Sequence, residues 1–176
     1  MRVITGSARN RRLKEPADMR IRPTTDKVKE ALFNIIQFDI EGRRVLDLFA
    51  GTGQLGIEAL SRGAKEATFV DQSREAISLV RDNLKTCGFA GTVVQADSVG
   101  FLGRGQKYDL IFIDPPYDSN LLLNALSAIY QFDILSEGGI IVCESRRDME
   151  IPVPSEPYFV VKSYHYSAIK LTTISR

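Results

Sequence analysis

The 176-residue sequence predicts an α/β fold: a mostly parallel seven-stranded sheet with helices on both faces and an antiparallel hairpin at its C-terminal end. Three observations predict it. Short apolar segments alternate with helical patterns between residues 42 and 143, which is typical of βαβ units. Several of these segments are apolar almost throughout, as in strands buried on both faces. Two later segments, rich in β-branched and aromatic residues, are separated by a short link, as in a hairpin.

The elements follow in order along the chain. Apolar residues at helical spacing from Val28 to Ile36 predict an amphipathic helix within residues 23–38, with Thr24 or Thr25 as N-cap and Asp26 in the first turn. Parallel strands are predicted at 44–48, 67–71, 92–96, 109–113 and 139–143, and helices between them at 53–62, 73–86 and 119–131. The closing hairpin is predicted at 158–164 and 168–174.

Composition predicts one compact domain over residues 1–176, since 44% of the residues are hydrophobic and 26% charged. Within it we expect a basic N-terminal arm over 1–22, the first helix over 23–38 and the sheet core over 42–176. No apolar run is long enough to cross a bilayer and no signal-peptide pattern is present, so we expect a cytoplasmic protein without a membrane partner.

The cysteines and the histidine give no sign of metal chemistry. Cys87 and Cys143 are far apart and form no C-x-x-C pair, so we expect reduced, buried thiols without a catalytic role. His165 is the only histidine and is expected to be structural. No metal site is expected from this set of side chains. A monomer is the default expectation, since no exposed apolar stripe is evident in the pattern.

Charge is distributed unevenly along the chain. Residues 1–29 hold nine Lys or Arg against three Asp or Glu, and the remaining residues hold fourteen against nineteen. The first segment is therefore basic and the rest acidic, although the net charge of the chain is only +1. A basic arm favours contact with nucleic-acid phosphates. The alternative is a solvated terminal tail.

A glycine-rich turn after the first predicted strand is the most informative segment, since residues 45–56 are Val-Leu-Asp-Leu-Phe-Ala-Gly-Thr-Gly-Gln-Leu-Gly. Gly51 and Gly53 allow a sharp turn and a close approach to a ligand, and Gly56 lets the next helix pack near the sheet. Dinucleotide sites share this spacing. A carboxylate at Asp47 would repel a pyrophosphate but attract the ammonium and sulfonium of S-adenosyl-L-methionine, which is therefore the predicted cofactor.

Two further carboxylates follow the next two predicted strands. Asp71 lies twenty residues after Gly51, the usual distance for a carboxylate that accepts from ribose hydroxyls. Asp97 can accept from the adenine amino group, with the backbone N–H of Ser98 facing a ring nitrogen. Each acid has a structural alternative: Asp47 can orient a turn, Asp71 can begin a helix and Asp97 can cap one. The predicted cofactor contacts are Asp47, Phe49, Gly51, Thr52, Gly53, Asp71, Gln72, Asp97 and Ser98.

A second motif, Asp114-Pro115-Pro116-Tyr117, follows the fourth predicted strand directly. The prolines fix the backbone and remove two N–H donors, so the Asp114 side chain and the Pro115 carbonyl can accept from an exocyclic amino group. Tyr117 offers a face for stacking a base. The alternative is a proline turn with a capping Asp and a core Tyr. The cofactor site beside it favours a catalytic role for all four residues in methylating a nucleic-acid base.

The expected reaction is a direct displacement, in which the amino nitrogen attacks the sulfonium methyl in line and S-adenosylhomocysteine leaves. The lone pair of an aromatic amine is delocalised into its ring, so acceptors that hold the amino hydrogens favour a geometry in which the lone pair points at the methyl group. The proton can leave after the transfer. No covalent intermediate and no strong general base are therefore expected.

Three segments carry a resemblance to a known family. They are residues 22–34 (Arg-Pro-Thr-Thr-Asp-Lys-Val-Lys-Glu-Ala-Leu-Phe-Asn), the glycine turn with residues 55–64 (Leu-Gly-Ile-Glu-Ala-Leu-Ser-Arg-Gly-Ala), and Asp-Pro-Pro-Tyr at 114–117. Together they resemble the RsmD-like family of bacterial small-subunit (16S) ribosomal RNA guanine-N2 methyltransferases over almost the whole chain. The resemblance implies a Rossmann-like class I methyltransferase that modifies a guanine 2-amino group during or after assembly of the small subunit.

The resemblance also implies roles for individual positions. Asp47, Gly51 and Gly53 would hold the methionine end of the cofactor. Asp71 would hold the ribose, and Asp97 with Ser98 the adenine. Asp114, Pro115 and Tyr117 would hold the target base. The implied RNA contacts are Arg9, Arg11 and Arg12 in the basic arm and Arg22 and Thr24 near the pocket.

Other functions remain open from the sequence. An adenine-N6 methyltransferase on RNA or DNA would use the same motif, because Asp-Pro-Pro-Tyr presents acceptors to either amino group. The chain offers no separate domain for reading duplex sequence, which favours RNA. An NAD-dependent oxidoreductase would use the three glycines and Asp71. An RNA-binding module without catalysis is a third alternative.

Overall fold

A computed structural model describes residues 1–16, 26–117 and 120–176 of the chain. The elements are α1 (Asp26–Ile35), β1 (Arg44–Leu48), α2 (Gln54–Ser61), β2 (Glu66–Asp71), α3 (Arg74–Cys87), β3 (Thr92–Gln95), α4 (Ser98–Leu102), β4 (Tyr108–Ile113), α5 (Leu121–Phe132), β5 (Leu135–Arg146), β6 (Phe159–Tyr166) and β7 (Ile169–Ser175). The predicted contacts Arg22 and Thr24, and the predicted N-cap at Thr24 or Thr25, lie outside the described residues.

The strands form one seven-stranded sheet in the order β3-β2-β1-β4-β5-β7-β6. Strands β1 to β5 are parallel, and β7 is antiparallel to both β5 and β6. The predicted mostly parallel sheet with a closing hairpin is confirmed.

The central strands of the sheet are buried on both faces, and β4 shows why residues 110–113 are all apolar. Leu110 and Phe112 belong to one apolar cluster, which the N-terminal residues and α1, α2 and α3 complete. Ile111 and Ile113 belong to the other cluster, on the side of α4 and α5. Because side chains alternate between the faces of a strand, both sets must be apolar.

Several elements differ from their predictions. Helix α4 was not predicted, because its five residues are too few to show a helical period. Strand β5 extends well beyond residues 139–143, since pairing with β7 reaches Arg146 and pairing with β4 begins at Leu135. Helix α1 ends at Ile35 rather than at residue 38, and Phe38 in the following turn is 91% exposed.

Residues 1–16, which we call the N-terminal hairpin, form a folded element and are not a solvated tail. Arg2 and Arg12 form a β-bridge, and the N–H of Asn10 donates to the Val3 carbonyl at 2.9 Å. Val3 and Leu13 are buried in the cluster that covers one face of the sheet. The basic start of the chain therefore has a fixed position on the core.

The cysteines and the histidine differ in burial. Cys143 is buried and Cys87 is only partly buried, so the prediction of two buried thiols is wrong for Cys87, which lies near the end of α3 where packing is incomplete. His165 is exposed on β6. Among the helices that the structure describes, none has both the length and the apolar character that a membrane crossing requires.

Candidate cofactor and base site

The candidate site lies at the carboxyl edge of the sheet, where β1 meets β4. Leu48 at the end of β1 pairs with Val70 of β2 on one side and with Ile113 of β4 on the other. The chain crosses from β1 through α2 to β2, whereas β4 lies on the opposite side of β1. Such a reversal of strand order opens a crevice in which α/β proteins bind ligands. The glycine turn and the Asp114 motif follow these two neighbouring strands.

The glycine turn has a left-handed backbone at three places, with φ of 68° at Phe49, 56° at Gly51 and 77° at Gly53. Glycine adopts this conformation without strain, which explains the residues at 51 and 53. The N–H of Gly53 closes the turn on the Ala50 carbonyl at 2.7 Å. A Cβ placed on Gly51 would meet no atom within 4 Å, so this side of the turn is open to a ligand.

Asp47 joins β1 to α2 beneath the turn. Its side chain is 2% exposed, and its Oδ2 accepts from the N–H of Gly56 at 2.9 Å. Because the N-cap residue Gly53 has no side chain, this carboxylate caps the first turn of α2 from the neighbouring strand. Burial raises the pKa of Asp47 to about 7, against the effect of the Gly56 hydrogen bond, and the charge of Asp71 adds to the rise.

Gly56 is required for close packing of α2 on the sheet. A Cβ there would lie 2.3 Å from Cε1 of Phe69, whose ring is buried in β2. The structure therefore shows the close helix–sheet approach that the third glycine of the motif predicted.

Asp71 supports the glycine turn from the end of β2. Its Oδ2 accepts from the N–H of Gly51 at 2.9 Å, and its Oδ1 accepts from the N–H of Ser73 at 2.8 Å at the start of α3. The side chain is partly exposed at the crevice, and Gln72 beside it is exposed. An ionised carboxylate accepts about four hydrogen bonds, so Asp71 has capacity for ribose hydroxyls in addition to these contacts.

Asp97 has the capping role that was its structural alternative. Its carboxylate accepts from the N–H of Gly100 at 2.6 Å and so caps α4. The Asp97 side chain remains exposed, whereas Ser98 is buried. Because β3 lies two strands away from β1, Asp97 is placed farther along the same edge of the sheet.

These features fit S-adenosyl-L-methionine. Carboxyl groups at Asp47 and Asp71 lie around the glycine turn, and the turn has an open face at Gly51. Gln54, at the start of α2, was not predicted as a contact, yet its Oε1 is buried without a hydrogen-bond partner among the described residues. A ligand N–H would satisfy this acceptor, since buried polar atoms are rarely left unpaired.

The Asp114 motif forms a partly exposed turn directly after β4. Asp114 is half-buried, Pro115 is buried, and Pro116 is exposed. The Tyr117 side chain is 38% exposed, and its hydroxyl donates to Oε1 of Glu144 on β5. Tyr117 is therefore not a core residue, which removes one alternative for this motif. The turn offers acceptors and an aromatic face next to the glycine turn.

Comparison with known proteins gives the family. A family model described as Conserved hypothetical protein 95 matches residues 1–175. The chain is 46% identical over 158 residues to the Bacillus subtilis protein named "Putative rRNA methyltransferase YlbH", covering 86% of each protein. It is 35% identical over 160 residues to Ribosomal RNA small subunit methyltransferase D of Haemophilus influenzae, covering 88% of this chain and 83% of that protein. The chain belongs to this methyltransferase family.

Solved structures agree with this membership. The Escherichia coli protein described as "Putative methyltransferase yhhF" superposes with a TM-score of 0.90 at 31% identity, covering 100% of this chain and 97% of that one. A Thermus thermophilus 16S rRNA N2 G1207 methyltransferase in complex with AdoMet and guanosine shares the fold, with a TM-score of 0.71 at 19% identity over 89% of this chain and 45% of that one. The predicted fold, that of the class I S-adenosyl-L-methionine-dependent methyltransferases, is confirmed.

In this family member, the N-terminal hairpin is linked to the glycine turn through Asn83 of α3. The buried Asn83 side chain accepts from the N–H of Lys14 at 2.7 Å and donates to the Thr52 carbonyl at 2.9 Å. The Thr52 hydroxyl donates to the Met1 sulfur at 3.5 Å. Arg9, Arg11 and Arg12 are exposed on this hairpin. A basic surface is thus held at a fixed position relative to the crevice.

Sequence reasoning missed Glu144 and Asn83, although both had a signal. Glu144 follows residues 139–143, which were predicted as a strand, and an acid directly after a predicted strand is the criterion that identified Asp97 and Asp114. Asn83 lies three residues after Val80, on the apolar face of α3. A polar residue in such a position needs a buried partner.

Proposed function

We propose that this chain transfers a methyl group from S-adenosyl-L-methionine to the exocyclic 2-amino group of a guanine in small-subunit ribosomal RNA. One observation carries the proposal. The Asp114 motif, with its acceptors and aromatic face, and the open glycine turn follow adjacent strands at the same edge of the sheet. The names of the relatives support the RNA substrate, and a cytoplasmic location follows from that substrate.

The chain's own residues would hold the cofactor at the glycine turn. Asp47, near the end of β1, and the turn that follows it would bind the methionine end. Asp71 would accept from the ribose hydroxyls, and Asp97 with Ser98 would bind the adenine. When bound, the cofactor supplies an electrophilic methyl group on a sulfonium centre.

The Asp114 turn would bind and orient the target base. The Asp114 carboxylate and the Pro115 carbonyl accept hydrogen bonds from the amino hydrogens, and the Tyr117 ring stacks on the base. This arrangement directs the nitrogen lone pair toward the methyl group, so that positioning and electrostatics provide the catalysis. The proton is lost after transfer and needs no dedicated base.

The N-terminal hairpin would bind the RNA backbone. Arg9, Arg11 and Arg12 project from it into solvent as exposed cations. Exposed arginines bind phosphates without regard to sequence, so they would set affinity and the Asp114 site would set the chemistry. Arg22 and Thr24 remain proposed RNA contacts. We propose a small ribosomal subunit, bound by one copy of the chain, as the substrate.

The test is transfer of labelled methyl groups to unmethylated small ribosomal subunits, followed by digestion to nucleosides. Wild type should yield N2-methylguanosine, and Asp114→Ala should lower the yield by at least about a hundredfold, as expected when a positioned polar group is lost from an active site. Asp39→Ala, in the loop before β1 at the opposite edge of the sheet, is the matched control and should keep full activity. N6-methyladenosine as the product would contradict the guanine assignment.

A further inference from the structure

We propose that Glu144 is a positioning residue that holds the Tyr117 ring in the orientation needed to stack on the target base. The inference rests on the proposed function, because it assigns a role within the same site. It goes beyond that function in naming a residue outside the Asp-Pro-Pro-Tyr motif.

The sheet register places Glu144 beside the motif. Cys143 of β5 pairs with Ile113 of β4, so Glu144 and Asp114 are the next residues on two neighbouring strands. On its other side Glu144 pairs with Leu171 of β7, which fixes the backbone of β5 at this level. Glu144 therefore sits on a rigid strand, whereas Tyr117 belongs to a turn.

The Glu144 side chain is buried, whereas the Tyr117 side chain is partly exposed to solvent. Glu144 is 3% exposed and Tyr117 is 38% exposed, yet the Tyr117 hydroxyl reaches inward and donates to the Glu144 carboxylate. A buried carboxylate is unfavourable unless hydrogen bonds compensate it. The hydrogen bond from Tyr117 supplies such compensation.

This contact would lower the cost of binding a base. A tyrosine in an exposed turn loses rotational freedom when a base stacks on it, and immobilising such a side chain is unfavourable in free energy. Fixing the ring beforehand through its hydroxyl removes that cost. The contact should therefore act mainly on KM for RNA and less on kcat, since Asp114 still holds the amino group.

A direct readout of the ring does not depend on activity. The chain has six tyrosines, so 3-fluorotyrosine labelling gives a small set of ¹⁹F resonances, and Tyr117→Phe identifies the one from Tyr117. Glu144→Ala should shift the Tyr117 resonance and narrow it, because the ring becomes more mobile. Glu144→Gln should bring the resonance back toward its wild-type position and width, because an amide oxygen also accepts a hydrogen bond. The Tyr158 resonance is the control and should not change. The Tyr158 hydroxyl donates to Asp133, not to Glu144, at a distance of 3.0 Å.

Kinetics with small ribosomal subunits then tests the consequence. Tyr117→Phe and Glu144→Ala should each raise KM by about tenfold, close to the typical effect of one hydrogen bond. The double variant should be no worse than either single one, and Glu144→Gln should recover most of the loss.

The outcomes separate the two proposals. An unchanged Tyr117 resonance in Glu144→Ala, or additive effects in the double variant, would overturn the positioning role even if wild type makes N2-methylguanosine. A different methylated product, together with the expected resonance shift and non-additive losses, would overturn the guanine assignment and leave the positioning of Tyr117 in place.

Discussion

At the scale of single residues, Asp47 couples the stability of the fold to the cofactor crevice. Its carboxyl group is buried and caps α2, so the same group that fixes the glycine turn lies beneath the crevice. Burial raises its pKa, and the Gly56 N–H opposes this effect without cancelling it. Asp47 should therefore titrate near neutral pH, and a bound cation should favour its ionised form.

The first prediction concerns the pH dependence that Asp47 gives to stability. With a folded pKa of about 7 and an unfolded pKa of about 4, the folded chain holds a proton that the unfolded chain has lost between these values. The free energy of unfolding should consequently fall as pH rises from about 4 to 7 and then level off. Asp47→Asn keeps an acceptor for Gly56 but should lack this contribution. Urea unfolding at several pH values compares the two, and parallel profiles would show that Asp47 does not titrate in this range.

At the scale of elements, the N-terminal hairpin is fastened to α2 by a buried acid. Glu58 accepts from the backbone N–H of Ile4 at 2.8 Å and of Thr5 at 3.0 Å. It also pairs with Arg62 at 2.9 Å, while the fully buried Lys29 lies 3.9 Å away. Burial lowers the pKa of Lys29 and the charge of Glu58 opposes that change. This one buried carboxylate therefore joins the hairpin to both α1 and α2.

The second prediction is that Glu58→Gln loosens the hairpin. The variant leaves Lys29 and Arg62 without their counter-charge, so we expect a loss of about 3 kcal/mol in the free energy of unfolding. Trypsin should also cleave faster at Arg9, Arg11 and Arg12. Asp82→Asn is the control, because it removes only an exposed ion pair with Lys14 and should leave both measurements nearly unchanged. Equal behaviour of the two variants would show that the Glu58 contacts do not hold the hairpin.

At the scale of the whole molecule, charge is segregated although the chain is nearly neutral. The N-terminal hairpin is folded against the acidic core, with its arginines exposed, and carboxyl groups lie around the crevice. A polyanion would thus be attracted to the hairpin and not to the crevice itself. The hairpin would orient RNA, and only a base extruded from the strand would enter the site.

The third prediction is that replacing Arg9, Arg11 and Arg12 by Ala weakens RNA binding in a salt-dependent way. The slope of log affinity against log salt should decrease by about one for each phosphate that the variant no longer binds, while kcat stays close to wild type. The control replaces the exposed residues Lys65, Arg104 and Arg147 by Ala, which removes the same charge elsewhere. The measurement is a titration of each variant with RNA at several salt concentrations. Equal slopes in the two triple variants would rule out a specific role for the hairpin.

Local patterns in the sequence were enough to predict the strands, the closing hairpin and the acids at the strand ends. A strand buried on both faces must be apolar throughout, and a tight turn near a ligand must contain glycine, so both are predictable without tertiary contacts. The acids could be identified because each lies at or directly after the end of a predicted strand; they are Asp47, Asp71, Asp97 and Asp114. Helix α4 was missed because five residues show no period.

The tertiary fold decides which strands and side chains contact each other. The strand order that puts β4 beside β1, the Glu58 and Asn83 contacts that fix the N-terminal hairpin, and the Glu144–Tyr117 contact all join residues distant in sequence. Such pairings are set by the packing of the whole sheet and its helices, since many chain paths satisfy the same local patterns. The sequence by itself identified the chemical groups of the candidate site. Their proximity at the carboxyl edge of the sheet depends on the tertiary fold.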